Sequence, residues 1–171
     1  MKETKRVILL NGSSSSGKST LSKVLQGHIK DMRGERYEIV SIDDHMKIAE
    51  DETIYEDDVF EISGEMCQSV TDALKTADGA IIDHVITSER IYDQLCGAML
   101  PFELLTVHVD CPLEIIRRRE QERGNRCIGS AESSYEYLYP KEGYDLTVDT
   151  GTMTAEECAL KIIEGLVNSG Q

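Results

Sequence analysis

A chain of 171 residues, 40% of them apolar, is long enough to fold as one domain around its own core without disulfide or metal staples. Its 32 acidic against 18 basic residues leave a net charge of −14, a balance that repels phosphate backbones and argues against a nucleic-acid partner. No apolar run approaches the roughly 20 residues of a membrane span, and five scattered cysteines (Cys67, Cys96, Cys111, Cys127, Cys158) without a C-x-x-C pair offer neither a zinc site nor a disulfide framework. A cytoplasmic protein with reduced thiols and no membrane partner is expected, so the Asn11-Gly12-Ser13 sequon is set aside.

Short apolar runs alternate with longer amphipathic stretches, the pattern of an α/β layered fold. Arg6–Asn11 reads as a buried strand. Gly17 to Met32 reads as a helix, with Leu21, Val24, Leu25 and Ile29 at helical spacing. Tyr37–Ile42 is a second strand, residues 62–77 a helix, Gly79–Val85 a third strand, and Phe102–Val109 a fourth that ends at Asp110. Leu113–Arg123 is a basic helix with Pro112 at its first turn. Tyr144–Asp149 is a fifth strand, and Ala155–Leu166 a last helix opened by a Thr154/Glu157 capping box. From Ile48 to Leu74 there is no Lys or Arg but nine acids, so this segment alone carries −9 of the −14. It reads either as a solvated surface excursion or as a lid over an acceptor site. The domain expectation is therefore a single unit, 1–171, with an acceptor-side excursion at about 46–65 and an Arg-rich lid at about 113–140.

Gly12-Ser13-Ser14-Ser15-Ser16-Gly17-Lys18-Ser19 fits G-x-x-x-x-G-K-[ST] at every fixed position, between an apolar strand and an amphipathic helix. Glycines allow a turn tight enough to aim backbone N–H groups at phosphate oxygens, and the helix N-terminus adds partial positive charge. The expected nucleotide-binding residues are Gly12, Ser13, Ser14, Ser15, Ser16, Gly17, Lys18, Ser19 and Thr20. Lys18 reaches the β- and γ-phosphates, and the Ser19 hydroxyl ligates Mg²⁺.

Three further groups bear on the chemistry. Asp43 ends the second strand, where parallel sheets open onto a ligand crevice, and is placed to take the proton of an attacking hydroxyl; a strand-end or N-cap Asp is the alternative, and Asp44 reads as such a cap. Asp83 ends the Ile81-Ile82 strand and either orients the Mg²⁺ shell or caps the next segment. Arg117, Arg118, Arg119, Arg123 and Arg126 cluster within ten residues of an acidic protein. Arg119, Arg123 and Arg126 suit charge stabilisation during phosphoryl transfer; a helix salt-bridged through Glu114, Glu120 and Glu122 is the alternative. Arg117 and Arg118 read as solvated or as stacked near a base.

These stretches together resemble the chloramphenicol phosphotransferase-like family of P-loop small-molecule kinases. The resemblance rests on Val7-Ile8-Leu9-Leu10-Asn11-Gly12 with the Ser-rich loop, Leu25-Gln26, Ser41-Ile42-Asp43, Ile81-Ile82-Asp83-His84-Val85, Val109-Asp110-Cys111-Pro112-Leu113, Arg123-Gly124-Asn125-Arg126 and Tyr144-Asp145-Leu146-Thr147-Val148-Asp149-Thr150. It implies an adenylate-kinase-like three-layer fold with a parallel five-stranded sheet of order 2-3-1-4-5. It implies ATP with Mg²⁺ as donor and a small-molecule alcohol, chloramphenicol or another antibiotic-like compound, as acceptor. It also implies Asp43 as general base, Lys18, Arg123 and Arg126 on the phosphates, and Thr150, Gly151 and Thr152 beside adenine. Asn125 departs from the family's usual Asp. With no Trp, only Phe60 and Phe102, and many acids after Asp43, the acceptor region suits a cationic or polyhydroxylated molecule better than a neutral aromatic one. A sugar-acid or nucleoside kinase, or a nucleotide-binding switch, are the alternatives; no N-K-x-D-like motif supports the switch. The sequence leaves homo-oligomer formation open.

Overall fold

The most apolar run of the chain lies at its geometric centre. The computed structural model describes residues 4–46, 55–124 and 129–169. In it β1 (Arg6–Asn11) pairs in parallel with β3 (Gly79–His84) on one side and β4 (Glu103–Asp110) on the other. β2 (Tyr37–Ser41) pairs with β3, and β5 (Leu146–Asp149) with β4, giving the parallel order β2-β3-β1-β4-β5. A central parallel strand is covered on both faces, which is why β1 reads as a continuous apolar run rather than an alternating one.

The strand pleat sends alternate residues of β1 to opposite layers. Ile8 and Leu10 pack with Leu21, Leu25 and Ile29 of α1 (Lys18–Arg33) and with Cys158, Ile162 and Leu166 of α6 (Ala155–Ser169). Val7 and Leu9 pack on the other face with Met66 and Val70 of α2 (Glu56–Ala73) and with Ile91 and Leu95 of α3 (Glu89–Ala98). The result is the expected three-layer α/β/α arrangement. Truncating a fully buried leucine of β1 to alanine costs about 2–5 kcal/mol by the usual cavity arithmetic.

Several boundaries differ from the sequence expectation, each for a local reason. β2 stops at Ser41 because the Ser41 hydroxyl accepts the Asp43 N–H (3.3 Å) and turns Ile42–Asp44 into one 3₁₀ turn. α2 starts at Glu56 rather than 62: Glu56, Asp57 and Asp58 fill its first turn, where carboxylates complement the helix dipole. Of the expected excursion at 46–65, residues 47–54 lie outside the described residues, and 56–65 are helical. β5 begins at Leu146 rather than 144, because the Asp145 carboxylate accepts from both the N–H (2.9 Å) and the hydroxyl (3.1 Å) of Thr106. Two helices went unanticipated. α3 carries a Ser88 N-cap and Ile91/Leu95 at i, i+4, a short but readable signal. α5 (Ser130–Tyr137) follows Gly129, whose missing side chain offers no cap of its own. The helix α4 (Leu113–Arg123) and the Thr154/Glu157 capping box, with reciprocal bonds of 3.1 Å, stand as expected.

Gly79 shows how tightly the sheet is closed. A Cβ there would sit 2.4 Å from the ring of Tyr37, which is fully buried against it. Gly79→Ala is expected to destabilise by about 1–3 kcal/mol through overpacking. Gly27→Ala, in mid-helix with nothing within 4 Å, is expected to stabilise by about 0.5–1 kcal/mol. Urea denaturation of both variants checks the pair, and equal effects would contradict the packing account.

Candidate active site

Parallel pairing brings every strand's carboxyl end to one edge, and the candidate residues gather there. A cleft of about 620 Å³ opens at that edge. It is lined by Ser14, Ser15, Gly17, Lys18, Ser19 and Thr20 from the loop and helix after β1, by Ile42 and Asp43 after β2, by Asp83 and Val85 at β3, by Arg119, Glu122 and Arg123 of α4, and by Thr150, Met153 and Ala155 after β5.

The phosphate-loop geometry follows from its residues. At Gly12 a Cβ would lie 2.4 Å from the Val109 carbonyl oxygen, so only glycine permits the chain to leave β1 so close to β4. Gly17 (φ +94°) and Ser15 (φ +66°) occupy the left-handed region, which curls the loop. Ser13, Ser14, Ser15 and Ser16 are all buried. The buried Lys18 ammonium donates to the Ser13 carbonyl at 2.8 Å, folded over the loop it closes. The α1 N-terminus carries neither a side-chain cap nor an acid in its first turn, leaving its dipole for an anion.

The Ser19 hydroxyl donates to Asp83 Oδ2 at 3.0 Å, joining the end of the phosphate loop to the end of β3. Asp83 is level with Leu10 of β1 and Ser41 of β2, so Asp43 follows two residues beyond it on the neighbouring strand. Asp43 is exposed to the cleft. Its 3₁₀ turn is tied to α2 through His45, whose ring nitrogens hydrogen-bond with the Ser41 carbonyl (3.0 Å) and the Ser69 hydroxyl (2.9 Å). His45 thus tethers this turn to α2.

Two arginines reach the loop. Arg119 donates to the Thr150 carbonyl (2.9 Å) and hydroxyl (3.3 Å), and the Thr150 hydroxyl donates in turn to the Ser16 carbonyl at 2.5 Å. Arg123 lines the cleft with Nη1 3.5 Å from the Ser15 hydroxyl. Arg126 lies outside the described residues. Arg117 turns away and pairs with Glu132 at 2.5 Å in solvent. Glu120, counted in the sequence among the partners of these arginines, instead caps α5, accepting from Gly129 N (3.3 Å), Ser130 Oγ (3.0 Å) and Ala131 N (3.1 Å).

Not every expected nucleotide contact lines the cleft. Gly12, Ser13 and Ser16 lie beneath its surface. Gly151 is wedged where a Cβ would be 2.5 Å from Pro112, and Thr152 is exposed beside it. Met153 and Ala155, missed in the sequence, line the cleft beside Thr150. Asn11 was also missed. It is fully buried, accepts the Ile86 N–H (2.9 Å), and donates to the Tyr139 carbonyl and the Tyr144 hydroxyl (2.9 Å each), pinning the chain after α5 to the strand ends. A buried Asn ending an apolar strand was the available signal.

A profile of the family described as chloramphenicol phosphotransferase-like protein matches residues 5–167. The chain belongs to that family. No curated protein matches it by sequence. Among solved structures, the Mycobacterium tuberculosis APS kinase CysC in complex with AMPPNP and APS is similar at 16% identity and a TM-score of 0.75, over 96% of this chain and 99% of that one. A gluconokinase from Sinorhizobium meliloti 1021 is similar at 18% identity and a TM-score of 0.73, over 98% and 94%. A sugar kinase from Janibacter sp. HTCC2649 gives 18% and 0.68, over 96% and 95%. At these identities the likeness is one of fold, and it is the fold of P-loop kinases.

The residues of the cleft fit the nucleotide and metal that the fold implies. The loop is a glycine-demanding cradle, the uncapped α1 N-terminus faces it, and a serine hydroxyl paired with a carboxylate is a hard oxygen set suited to Mg²⁺ that keeps most of its water. Among the described residues no group of three His, Cys, Asp or Glu forms a closed metal cage, and no helix is long and apolar enough to cross a membrane.

His84 sits directly behind Asp83, fully buried and hydrogen-bonded with the Ser63 hydroxyl at 3.1 Å. Burial, reinforced by the positive charge of Lys18, pushes its pKa down to about 3 from 6.5, so the ring is neutral. Between those values only the unfolded chain binds the proton, so this group's contribution is complete above the unfolded pKa and drains as pH falls below it. Melting temperatures from about pH 7.5 to about pH 5.5 should fall more steeply for the wild type than for His84→Asn. Parallel curves would show that His84 takes up its proton in the folded state.

Proposed function

We propose that this protein is an ATP-dependent phosphotransferase acting on a hydroxyl of a small molecule, chloramphenicol or another antibiotic-like alcohol. The observation that carries the reading is the convergence on one cleft of Lys18, the Ser19–Asp83 pair, Asp43, Arg119 and Arg123. A carboxylate lining the same cleft as a phosphate loop and two arginines suits transfer better than nucleotide binding alone.

Mg·ATP supplies the γ-phosphoryl group. Lys18, the loop amides and the α1 N-terminus hold the phosphates, Ser19 and Asp83 hold the Mg²⁺ shell, and Thr150 with its neighbours borders the base. Asp43 takes the proton of the acceptor hydroxyl as its oxygen bonds to phosphorus and the bond to the ADP oxygen breaks. Arg119, Arg123 and Arg126, on the arginine-bearing 113–140 segment, offset the charge that develops. The whole chain, 1–171, works as one catalytic unit in this reading.

One observation favours a second reading, a metabolic small-molecule kinase for a polyhydroxylated acceptor of the sugar-acid or nucleoside type. No aromatic side chain among the described residues lines the cleft. Phe60 has its face taken by the Arg90 guanidinium (3.9 Å), and Phe102 packs at the amino end of β4, the far edge of the sheet. A neutral nitroaromatic has little here to stack on, whereas hydroxyls have Asp43 and Glu122 to donate to.

ADP release from Mg·ATP against chloramphenicol, aminoglycosides, nucleosides and sugar acids separates the two readings. Stimulation by one class names the acceptor, and Asp43→Asn should cut it by about 10²–10⁴ while ATP affinity holds; unchanged turnover removes Asp43 as base. Lys18→Ala should lose binding and turnover together. Arg123→Ala should slow transfer more than it weakens ATP binding, and the reverse result would make it a ground-state contact.

A further inference from the structure

Glu120 is the one carboxylate of α4 that points away from solvent, 5% exposed in a helix otherwise rich in solvated charge. Its side chain accepts from Gly129 N, Ser130 Oγ and Ala131 N, so it caps α5 from another helix where Gly129 provides nothing. Its backbone carbonyl accepts the Gly124 N–H that ends α4 (3.4 Å). One residue therefore ties the last residue of the α4 cap and the first residue of the α5 cap to the same point. Burial alone would raise its pKa, but the donors from Ala131, Ser130 and Gly129 outweigh that and hold it ionised.

The apolar cluster under this pair is small. Cys111, Ile116 and Ala131 are its buried members, with Ile115 beside them. The Arg117–Glu132 bridge across the two helices is half-exposed and contributes little. A charge-assisted, buried cap is then the strongest link between α4 and α5. Farther along α5, the Ser134 hydroxyl accepts the Ser14 N–H at 3.0 Å, so the helix pair rests on the phosphate loop at its other end. Fixing α5 on α4 at Glu120 and on the loop at Ser134 restrains the rotation of α4, alongside the Arg119–Thr150 bonds from the same helix. Rotation of α4 decides whether Arg123, three residues on, faces the cleft.

We propose that Glu120 is a positioning residue for nucleotide binding, acting through Arg123 by locking α4 against α5. This rests on the nucleotide-binding reading given above, and the test separates the two. Equilibrium affinity for Mg·AMPPNP is measured by calorimetry for the 171-residue wild-type chain, Lys18→Ala, Glu120→Ala, Glu120→Gln, Arg123→Ala and the Glu120→Ala/Arg123→Ala double variant, each with its melting temperature.

Glu120→Ala and Arg123→Ala should each weaken binding by about fivefold, and the double variant by no more than Arg123→Ala alone, because the two act on one contact. Glu120→Gln, which keeps one accepting oxygen, should fall between wild type and Glu120→Ala and guards against a variant that does not fold. Multiplying effects near 25-fold in the double variant, or an Arg123→Ala affinity equal to wild type, overturns the positioning role. A lowered melting temperature with unchanged affinity in both Glu120 variants reduces Glu120 to a helix cap. Failure of the wild type itself to bind, or binding untouched by Lys18→Ala, overturns the nucleotide reading and the inference with it.

Discussion

Parallel pairing on both sides of β1 is the constraint from which the remaining structure follows. It demands apolar residues on both faces of the strand, hence two helical layers, and it sends all five strands in one direction. The loops that leave their carboxyl ends then share one edge, however far apart they lie in sequence. Gly12 follows β1, Asp43 follows β2, Asp83 ends β3, Asp110 ends β4, and Thr150 follows β5. The register does the rest: Asp83 sits beside Leu10, one residue from the strand end that opens into the phosphate loop. A site assembled from five separate segments costs the chain few special residues beyond a glycine where Val109 comes close and a buried Asn11 to tie the return segment.

The elements most legible in the sequence were those whose information is local. β1 and α1 carry apolar periodicity and a fixed-position motif between them, and the α6 capping box is written within four residues. What escaped was set by distant partners. The start of β5 depends on an Asp145–Thr106 pairing 39 residues apart in sequence, and α5 depends on a cap lent by Glu120. The acidic run after Asp43 was readable as charge but not as a helix start, because the dipole that accommodates Glu56, Asp57 and Asp58 exists only once α2 has formed. In the cleft, the loop motif announced Lys18 and Ser19, and residue types at strand ends announced Asp43 and Asp83. The roles of Met153, His45 and Asn11 lie in packing and hydrogen bonding that no spacing encodes.

The cleft is held by short polar chains rather than by apolar packing. Arg119 reaches Thr150, Thr150 reaches the Ser16 carbonyl, Ser19 reaches Asp83, and Ser134 reaches the Ser14 amide. Three of these links end on the phosphate loop or the first turn after it, from the segment after β5, from β3 and from α5, and α4 joins them through Thr150. Bracing of this kind pre-organises donors toward one point and lowers the entropy lost when a ligand arrives. His84 and Ser63 sit behind it as a buried neutral pair, adding no charge of their own beneath Asp83.

The distribution of charge around the mouth has a kinetic consequence. Within the cleft wall the carboxylates of Asp43, Asp83 and Glu122 stand among the cations Lys18, Arg119 and Arg123. The cations come from α1 and α4, and α4 adds the Glu122 carboxylate to the same lining. An incoming polyanion is thus drawn by one set of charges and repelled by the other, and a cation meets the reverse. Added salt shortens the reach of both fields to within about 8 Å at physiological strength. Ionic strength should therefore shift the encounter rates of oppositely charged ligands in different directions at this one opening.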